Sequence, residues 1–254
     1  MTLSLIGLGL GDEKDITVRG LELVKSADLV FLEAYTSLLS AKKEALEAFY
    51  GKKIILADRD LIEKEIEEKI LIPAKTQNVA LLVVGDTFGA TTHTDLVLRA
   101  KEMGVEVEIV HNASIMNAVG VVGLELYKFG KTTSIPYWEK SFEPEVFYDV
   151  ISENKERGLH TLCLLDIKAD EERFMTVQES LELLKKVEEK RVSGLITSDL
   201  FVIGLARIGQ ADQDIFAGSL SDVLKHDFGD PLHCLIVPGE LQVVEEEALR
   251  HWQS

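Results

Sequence analysis

The sequence predicts an α/β protein of two α/β domains, with a parallel sheet in the N-terminal domain and a mixed sheet in the C-terminal one. Three observations carry this. Residues 79–84 are consecutively apolar and half of them are valine, a run too short for a free helix but suited to a strand buried on both faces. Up to about residue 112, short apolar runs alternate regularly with helical patterns, as parallel βα units require. After residue 113 short strand candidates follow one another closely, which points to a mixed sheet. The expected domains are 1–112 and 113–254.

A first strand over 3–7 runs into Gly7, Leu8, Gly9, Leu10 and Gly11, followed by Asp12, Glu13, Lys14 and Asp15. The turn looks like a dinucleotide loop, but its third glycine is one position early for G-x-G-x-x-G. Three carboxylates would also repel a pyrophosphate there. The glycines still let a neutral or cationic ligand approach the backbone near Leu10. A helix is expected over 17–25 and a strand over 28–32, with Tyr35, Thr36 and Ser37 at its end available to line a cleft or to form a simple turn. A helix over 41–49 and a strand over 53–56 follow. The acidic helix over 61–71, with an Ile62, Ile66, Ile70 stripe and Glu65 facing Lys69, reads as a solvated face.

The strand at 79–84 stops at Gly85 and Asp86. A helix from Thr94 then places Leu96, Val97, Ala100 and Met103 on one side. Ligands of parallel sheets sit beyond the carboxyl ends of strands, so Asp86 is expected to face one; the plainer alternative is that Asp86 caps a turn and Gly89 supplies a positive φ. A strand over 105–110 ends at His111, Asn112, Ala113 and Ser114. Ser114 caps a helix over 115–122 whose Gly120 and Gly123 permit close packing. Strands are expected over 133–136, 160–166, 199–207, 214–217 and 232–237, and helices over 144–156, 177–190 and 240–252. The loops at strand ends should converge on one cleft between the halves.

With 254 residues and 46% hydrophobic content the chain can build a substantial core. A net charge of −17, from 27 basic and 44 acidic residues, disfavours broad contact with nucleic acid or an anionic membrane. No apolar run reaches the length of a membrane span and no leader pattern is seen, so a cytoplasmic location is expected. Cys163 and Cys234 lie in apolar runs and read as buried thiols. The six histidines show no helical zinc pair, and there is no nucleophile elbow or Walker loop. His93 and His233 read first as structural residues, and as ligand contacts before catalysts; Tyr137 and Trp138 suit packing or an interface.

A set of motifs nevertheless resembles one family. Ala90-Thr91-Thr92-His93, Tyr127-Lys128-Phe129-Gly130-Lys131, Gly158-Leu159-His160-Thr161, Leu165-Asp166-Ile167-Lys168-Ala169 and Asp227-Phe228-Gly229-Asp230-Pro231 are similar to archaeal diphthine synthases of the tetrapyrrole methylase superfamily. The likeness runs from Leu5-Ile6-Gly7-Leu8-Gly9 to Ile236-Val237-Pro238-Gly239. Thr87 departs from the pattern, which usually has proline after Gly-Asp.

The resemblance implies a tetrapyrrole methylase-like pair of α/β domains with S-adenosylmethionine in the cleft between them, bound mainly by main-chain groups. Carried to matching positions, it implies contacts from Leu10, Asp86, Gly89, Ser114, Ile115, Leu165, Ile208 and His233. It further implies methylation, to a trimethylammonium, of the amino group on the 3-amino-3-carboxypropyl histidine of translation elongation factor 2, by a homodimer that needs no metal. The general base stays open among His93, Asp166 and water. Alternatives are a methyltransferase acting on a tetrapyrrole or ribosomal RNA, a non-catalytic acidic adaptor and, third, an oxidoreductase.

Overall fold

Strand β1 (Thr2–Gly7) lies inside a five-stranded parallel sheet because both of its faces are apolar: Leu3 and Leu5 enter one core cluster, Ile6 the other. The structure, a computed structural model, describes residues 1–33, 41–91 and 93–253; Tyr35, Thr36, Ser37 and Thr92 fall outside these. Along the chain come α1 (Val18–Ser26), capped by the Thr17 hydroxyl on the Gly20 N–H, β2 (Leu29–Glu33), α2 (Lys43–Tyr50) and β3 (Ile55–Ala57). The short α3 (Ile72–Ala74), β4 (Val79–Val83), α4 (His93–Glu102) and β5 (Glu106–Val110) complete the layer. Strand order is β3-β2-β4-β1-β5, all parallel. In β4, Val79, Leu81 and Val83 face one cluster and Ala80 and Leu82 the other.

The acidic segment differs from the expected α-helix. It forms wide π turns over Leu61–Glu65 and Glu67–Leu71, burying Ile66 and Ile70. A strict four-residue repeat drifts by roughly 40° per repeat on a 3.6-residue helix, and wider turns keep the isoleucines facing inward. Lys69 accordingly meets Glu68, at 3.6 Å, instead of Glu65.

By its contacts the chain divides into Met1–Ala118 with Gly209–Ala211, and Val119–Ile208 with Asp212–Ser254, whereas the sequence suggested a break after residue 112. The first unit ends in α5 (Ile115–Ala118), and a 3-10 turn over Val119–Val122 begins the second, so the single helix expected over 115–122 changes winding midway. The second unit contains β6 (Thr133–Ile135), α6 (Val146–Glu156), β7 (Thr161–Leu165) and a hairpin of β8 (Ile167–Lys168) and β9 (Arg173–Phe174) that the sequence reading did not contain. Then come α7 (Val177–Arg191), β10 (Phe201–Ala206), β11 (Asp214–Ser219), α8 (Leu220–Val223), β12 (His233–Val237) and α9 (Val243–Leu249). Its sheet runs β11-β10-β12-β7-β6, mixed as expected: β6 and β7 are parallel and the other pairs antiparallel. Cys163 and Cys234 are free and buried, and burial raises both thiols above their usual range.

One buried ionic cluster ties the motifs of this unit together. Glu245, 1% exposed, accepts from the Glu125 N–H (3.0 Å), the Gln242 N–H (2.8 Å), Lys128 Nζ (2.5 Å) and His160 Nε2 (3.0 Å). His160 Nδ1 in turn accepts the Gly239 N–H at 3.1 Å, so the imidazole is neutral with its proton on Nε2. Burial lowers the pKa of His160, in keeping with that state. Burial also raises the Glu245 carboxyl, but Lys128, the two N–H groups and His160 outweigh it and hold the pKa at about 2. Glu245→Ala would leave the buried His160 and the partly buried Lys128 without their counterpart and should destabilise the unit by about 3–5 kcal/mol, read from denaturant unfolding. Because the folded pKa is depressed, this stabilisation is complete above the unfolded carboxyl range near 4.5. It is lost as pH falls toward 2, an acid-sensitive component that the Ala variant should lack.

Candidate functional site

At the carboxyl end of the parallel sheet two loops are joined by their backbones. The Gly9 N–H donates to the Gly85 carbonyl (3.1 Å) and the Gly85 N–H to the Gly9 carbonyl (2.8 Å). Both residues have positive φ, 79° and 78°, which explains glycine at each. A side chain at Gly7 would put its Cβ 2.7 Å from the Gly85 carbonyl, so the approach is as close as glycine allows.

Asp86 fastens a third loop to this pair. Its Oδ1 accepts the Phe88 N–H (2.9 Å), and its Oδ2 accepts from the Asn112 N–H (3.0 Å) and His111 Nδ1 (2.9 Å). Partial burial raises the carboxyl pKa, but these donors prevail and hold it below the usual carboxylate range. Asn112 extends the network, its Nδ2 donating to the Gly7 carbonyl (3.0 Å) and the Asp15 carbonyl (2.9 Å). No sequence signal set Asn112 apart from other loop residues, because its role depends on carbonyls brought to it from more than ninety residues away.

Leu10, Asp86, Gly89, Ser114 and Ile115 thus lie on three loops at one end of the same sheet. Leu10 is half-buried, and its carbonyl accepts from Gln210 Nε2 at 3.5 Å. Gly89 does not supply the positive φ; Gly85 and Ala90 (62°) do. Gly89 is glycine for space, since a Cβ there would come within 2.7 Å of the Ser114 side chain. Ser114 Oγ accepts the Met116 N–H at 3.3 Å and so starts the short helix that carries Ile115. The loop from Gly85 to Thr91 is stiffened at the Thr87 carbonyl, which accepts from Thr91 Oγ1 (2.7 Å) and His93 Nδ1 (2.8 Å), where the proline of the resembled pattern would have restricted the chain instead.

Leu165, Ile208 and His233 lie in the second unit, also together. Cys234 pairs with Leu164 and Ala206 with His233, so the end of β7, the chain just past β10 and the start of β12 share one end of the mixed sheet. The His233 ring is committed within the protein: Nδ1 accepts the Val177 N–H (3.3 Å) and Nε2 donates to the Asp230 carbonyl (3.0 Å). Burial lowers its pKa, so it is neutral. Arg207, the last residue of the strand expected over 199–207, arranges this end. Its guanidinium donates to the carbonyls of Phe228 (2.7 Å), Asp230 and Asp212 (3.0 Å), and it pairs with the Asp212 carboxylate at 2.8 Å. His93 is 3% exposed with both ring nitrogens engaged, which leaves no lone pair for a substrate proton. Asp166 Oδ2 accepts the Tyr137 N–H at 2.9 Å.

The residues of the first unit fit a cationic donor bound by main-chain groups better than a phosphate. The Gly11 N–H, which a pyrophosphate would need, donates to Asp15 Oδ2 at 2.7 Å, and Asp12, Glu13, Asp15 and Asp86 make the sheet end electronegative. Asp86 acts as a fastener as well as a charge. Asp86→Ala should therefore weaken S-adenosylmethionine binding and also lower stability by about 1–3 kcal/mol, measured by calorimetry and thermal unfolding of the same samples.

Comparison with known proteins gives the family. Residues 2–224 match the family model of Tetrapyrrole (Corrin/Porphyrin) Methylases. The diphthine methyl ester synthase of Homo sapiens is 50% identical over 256 residues, covering 93% of this chain and 90% of its own length. That of Dictyostelium discoideum is 48% identical, covering 97% and 96%. A crystal structure from Entamoeba histolytica, described as a diphthine synthase, superposes with a TM-score of 0.92 at 49% identity, covering 100% of this chain and 98% of that one. These relatives are eukaryotic, so the archaeal attribution of the sequence resemblance is without support. The chain belongs to the tetrapyrrole methylase family, on its diphthine synthase branch, and is an S-adenosylmethionine-dependent methyltransferase.

Proposed function

We propose that this methyltransferase of diphthamide biosynthesis acts on the 3-amino-3-carboxypropyl histidine of translation elongation factor 2, in the cytoplasm, and trimethylates its amino group. The observation that carries the reading is identity near 50% over almost the whole chain to relatives named for diphthine chemistry. Main-chain groups around Leu10, Gly89, Ser114 and Ile115 would hold the donor, and Asp86 adds attraction for its positive charges. When bound, S-adenosylmethionine supplies a methyl already activated on a sulfonium. The chain has then to align the nucleophile, exclude water and let an ammonium lose its proton, none of which calls for a metal.

A second product is favoured by the name of the relatives, diphthine methyl ester synthase, because an ester methyl sits on carboxylate oxygen. The two nucleophiles differ in proton chemistry. A carboxylate is ionised and ready at neutral pH, whereas an alkylammonium titrates near a reference of about 10.4 and must first deprotonate.

The assay is transfer from labelled donor to elongation factor 2 bearing the unmethylated side chain, across pH and with a chelator present. Amine methylation should rise with pH, survive the chelator and resist brief alkaline hydrolysis, whereas ester methylation should be flat with pH and be released by alkali. Label wholly released by alkali would overturn the amine reading, and faster methylation of ribosomal RNA or a porphyrinogen would move the chain to another branch.

A homodimer belongs to the same reading. Val121 and Leu126, apolar residues that follow α5, are 43% and 45% exposed. Sedimentation at micromolar concentration should give twice the 28.2 kDa chain mass, and a monomer would defeat this part.

A further inference from the structure

Glu33 ends β2, and strand alternation carries it to the same face as Phe31, the face that Leu96 and Ala100 of α4 cover. His93 is the first residue of α4. The two side chains meet in the interior, Nε2 to Oε2 at 2.9 Å, with Glu33 2% and His93 3% exposed. On its other side the ring meets the Thr87 carbonyl at 2.8 Å. A carbonyl only accepts, so Nδ1 carries a proton, and Nε2, with a second one, faces the carboxylate at ion-pair distance. The pair is therefore neutral as a unit, which is what makes its burial tolerable.

The contrast with His160 and Glu245 is informative. There both carboxylate oxygens have donors, as a structural anchor should. Here both Glu33 oxygens and the Thr87 hydroxyl are buried without a hydrogen-bond partner, and Oε2 has only its ion-pair contact with His93. A buried pair that leaves a carboxylate oxygen unsatisfied is a poor device for stability. What it does achieve is local: it fixes one carbonyl in the middle of the loop whose neighbours Asp86 and Gly89 fasten the other two loops.

We propose that Glu33 and His93 form the positioning pair of the donor-binding loop, clamping the Thr87 carbonyl so that Asp86 and Gly89 stand in the arrangement that S-adenosylmethionine requires. The proposal rests on the methyltransferase reading for its ligand, but the clamp itself belongs to the free protein. Neither residue is catalytic, since neither is accessible to a substrate.

Three variants test it: His93→Gln, Glu33→Gln and the two together. Each is read by melting temperature, by calorimetry with S-adenosylmethionine, and by amide hydrogen exchange of residues 85–91 in the ligand-free protein. Glu33→Gln keeps Nδ1–H on Thr87 and lets an amide donate to Nε2, so donor affinity should stay within about threefold. His93→Gln removes the ring donor from Thr87 and should weaken donor binding at least about tenfold, with faster exchange at Phe88 and Gly89. The double variant replaces the pair by two amides with no buried charge, so its melting temperature should return toward that of the parent while affinity stays as low as in His93→Gln. A purely structural pair would instead regain affinity along with stability, and that result overturns the proposal. Should His93→Gln not fold, the double variant decides. Unchanged exchange over 85–91 in the double variant would also overturn it. Failure of the parent protein to bind S-adenosylmethionine would instead count against the methyltransferase reading, with the exchange comparison still deciding the clamp.

Discussion

The central strands β1 and β4 have no face in water, and most of the first unit follows from that. Leu3, Leu5, Leu81 and Val83 fill one side and Ile6, Ala80 and Leu82 the other, so the middle of the sheet is packed by apolar side chains. Polar groups collect where the strands stop. There the backbone leaves the ladder, and its N–H and carbonyl groups need new partners. Gly9 and Gly85 satisfy each other, Asp86 and Asn112 satisfy the next loop, and what remains is a rim of main-chain groups with a carboxylate among them.

Three buried histidines show how differently one residue type can be used. His160 and His233 each accept one backbone N–H and donate from Nε2, so each is neutral and each locks a loop to a helix or strand. His93 sits between two acceptors, the Thr87 carbonyl and the Glu33 carboxylate. Burial alone would lower its pKa, but Glu33 and the Thr87 carbonyl raise it. The partners decide the protonation state in every case, and none of the three is disposed to exchange a proton with a substrate.

Acidic composition and cationic ligand are connected through the same geometry. A glycine-rich turn after a first strand ordinarily suggests phosphate, because free N–H groups attract anions. In this chain Asp15 has already taken the Gly11 N–H, so the turn keeps its tightness without its anion affinity. The resulting electronegative sheet end suits a sulfonium and an ammonium.

By itself the sequence determined the layering. Apolar runs and helical periodicity located the strands of the two sheets, and the parallel and mixed character of each followed from what lay between them, because strand and helix periods are local properties. It also displayed the motifs of the branch. It did not disclose the reason for them: Tyr127 to Lys131 and Gly158 to Thr161 are bound together by Glu245, which no motif contained, and the segment ending at Gly239 is joined to them through His160. The β8–β9 hairpin was too short to show a period, and the π turns over 61–71 needed the core beneath them. Asn112, Arg207 and the Glu33–His93 pair were legible only in three dimensions. Their significance lies in which carbonyls and carboxylates are brought within 3 Å of them, and hydrogen bonds between residues distant in sequence leave no periodic trace along the chain.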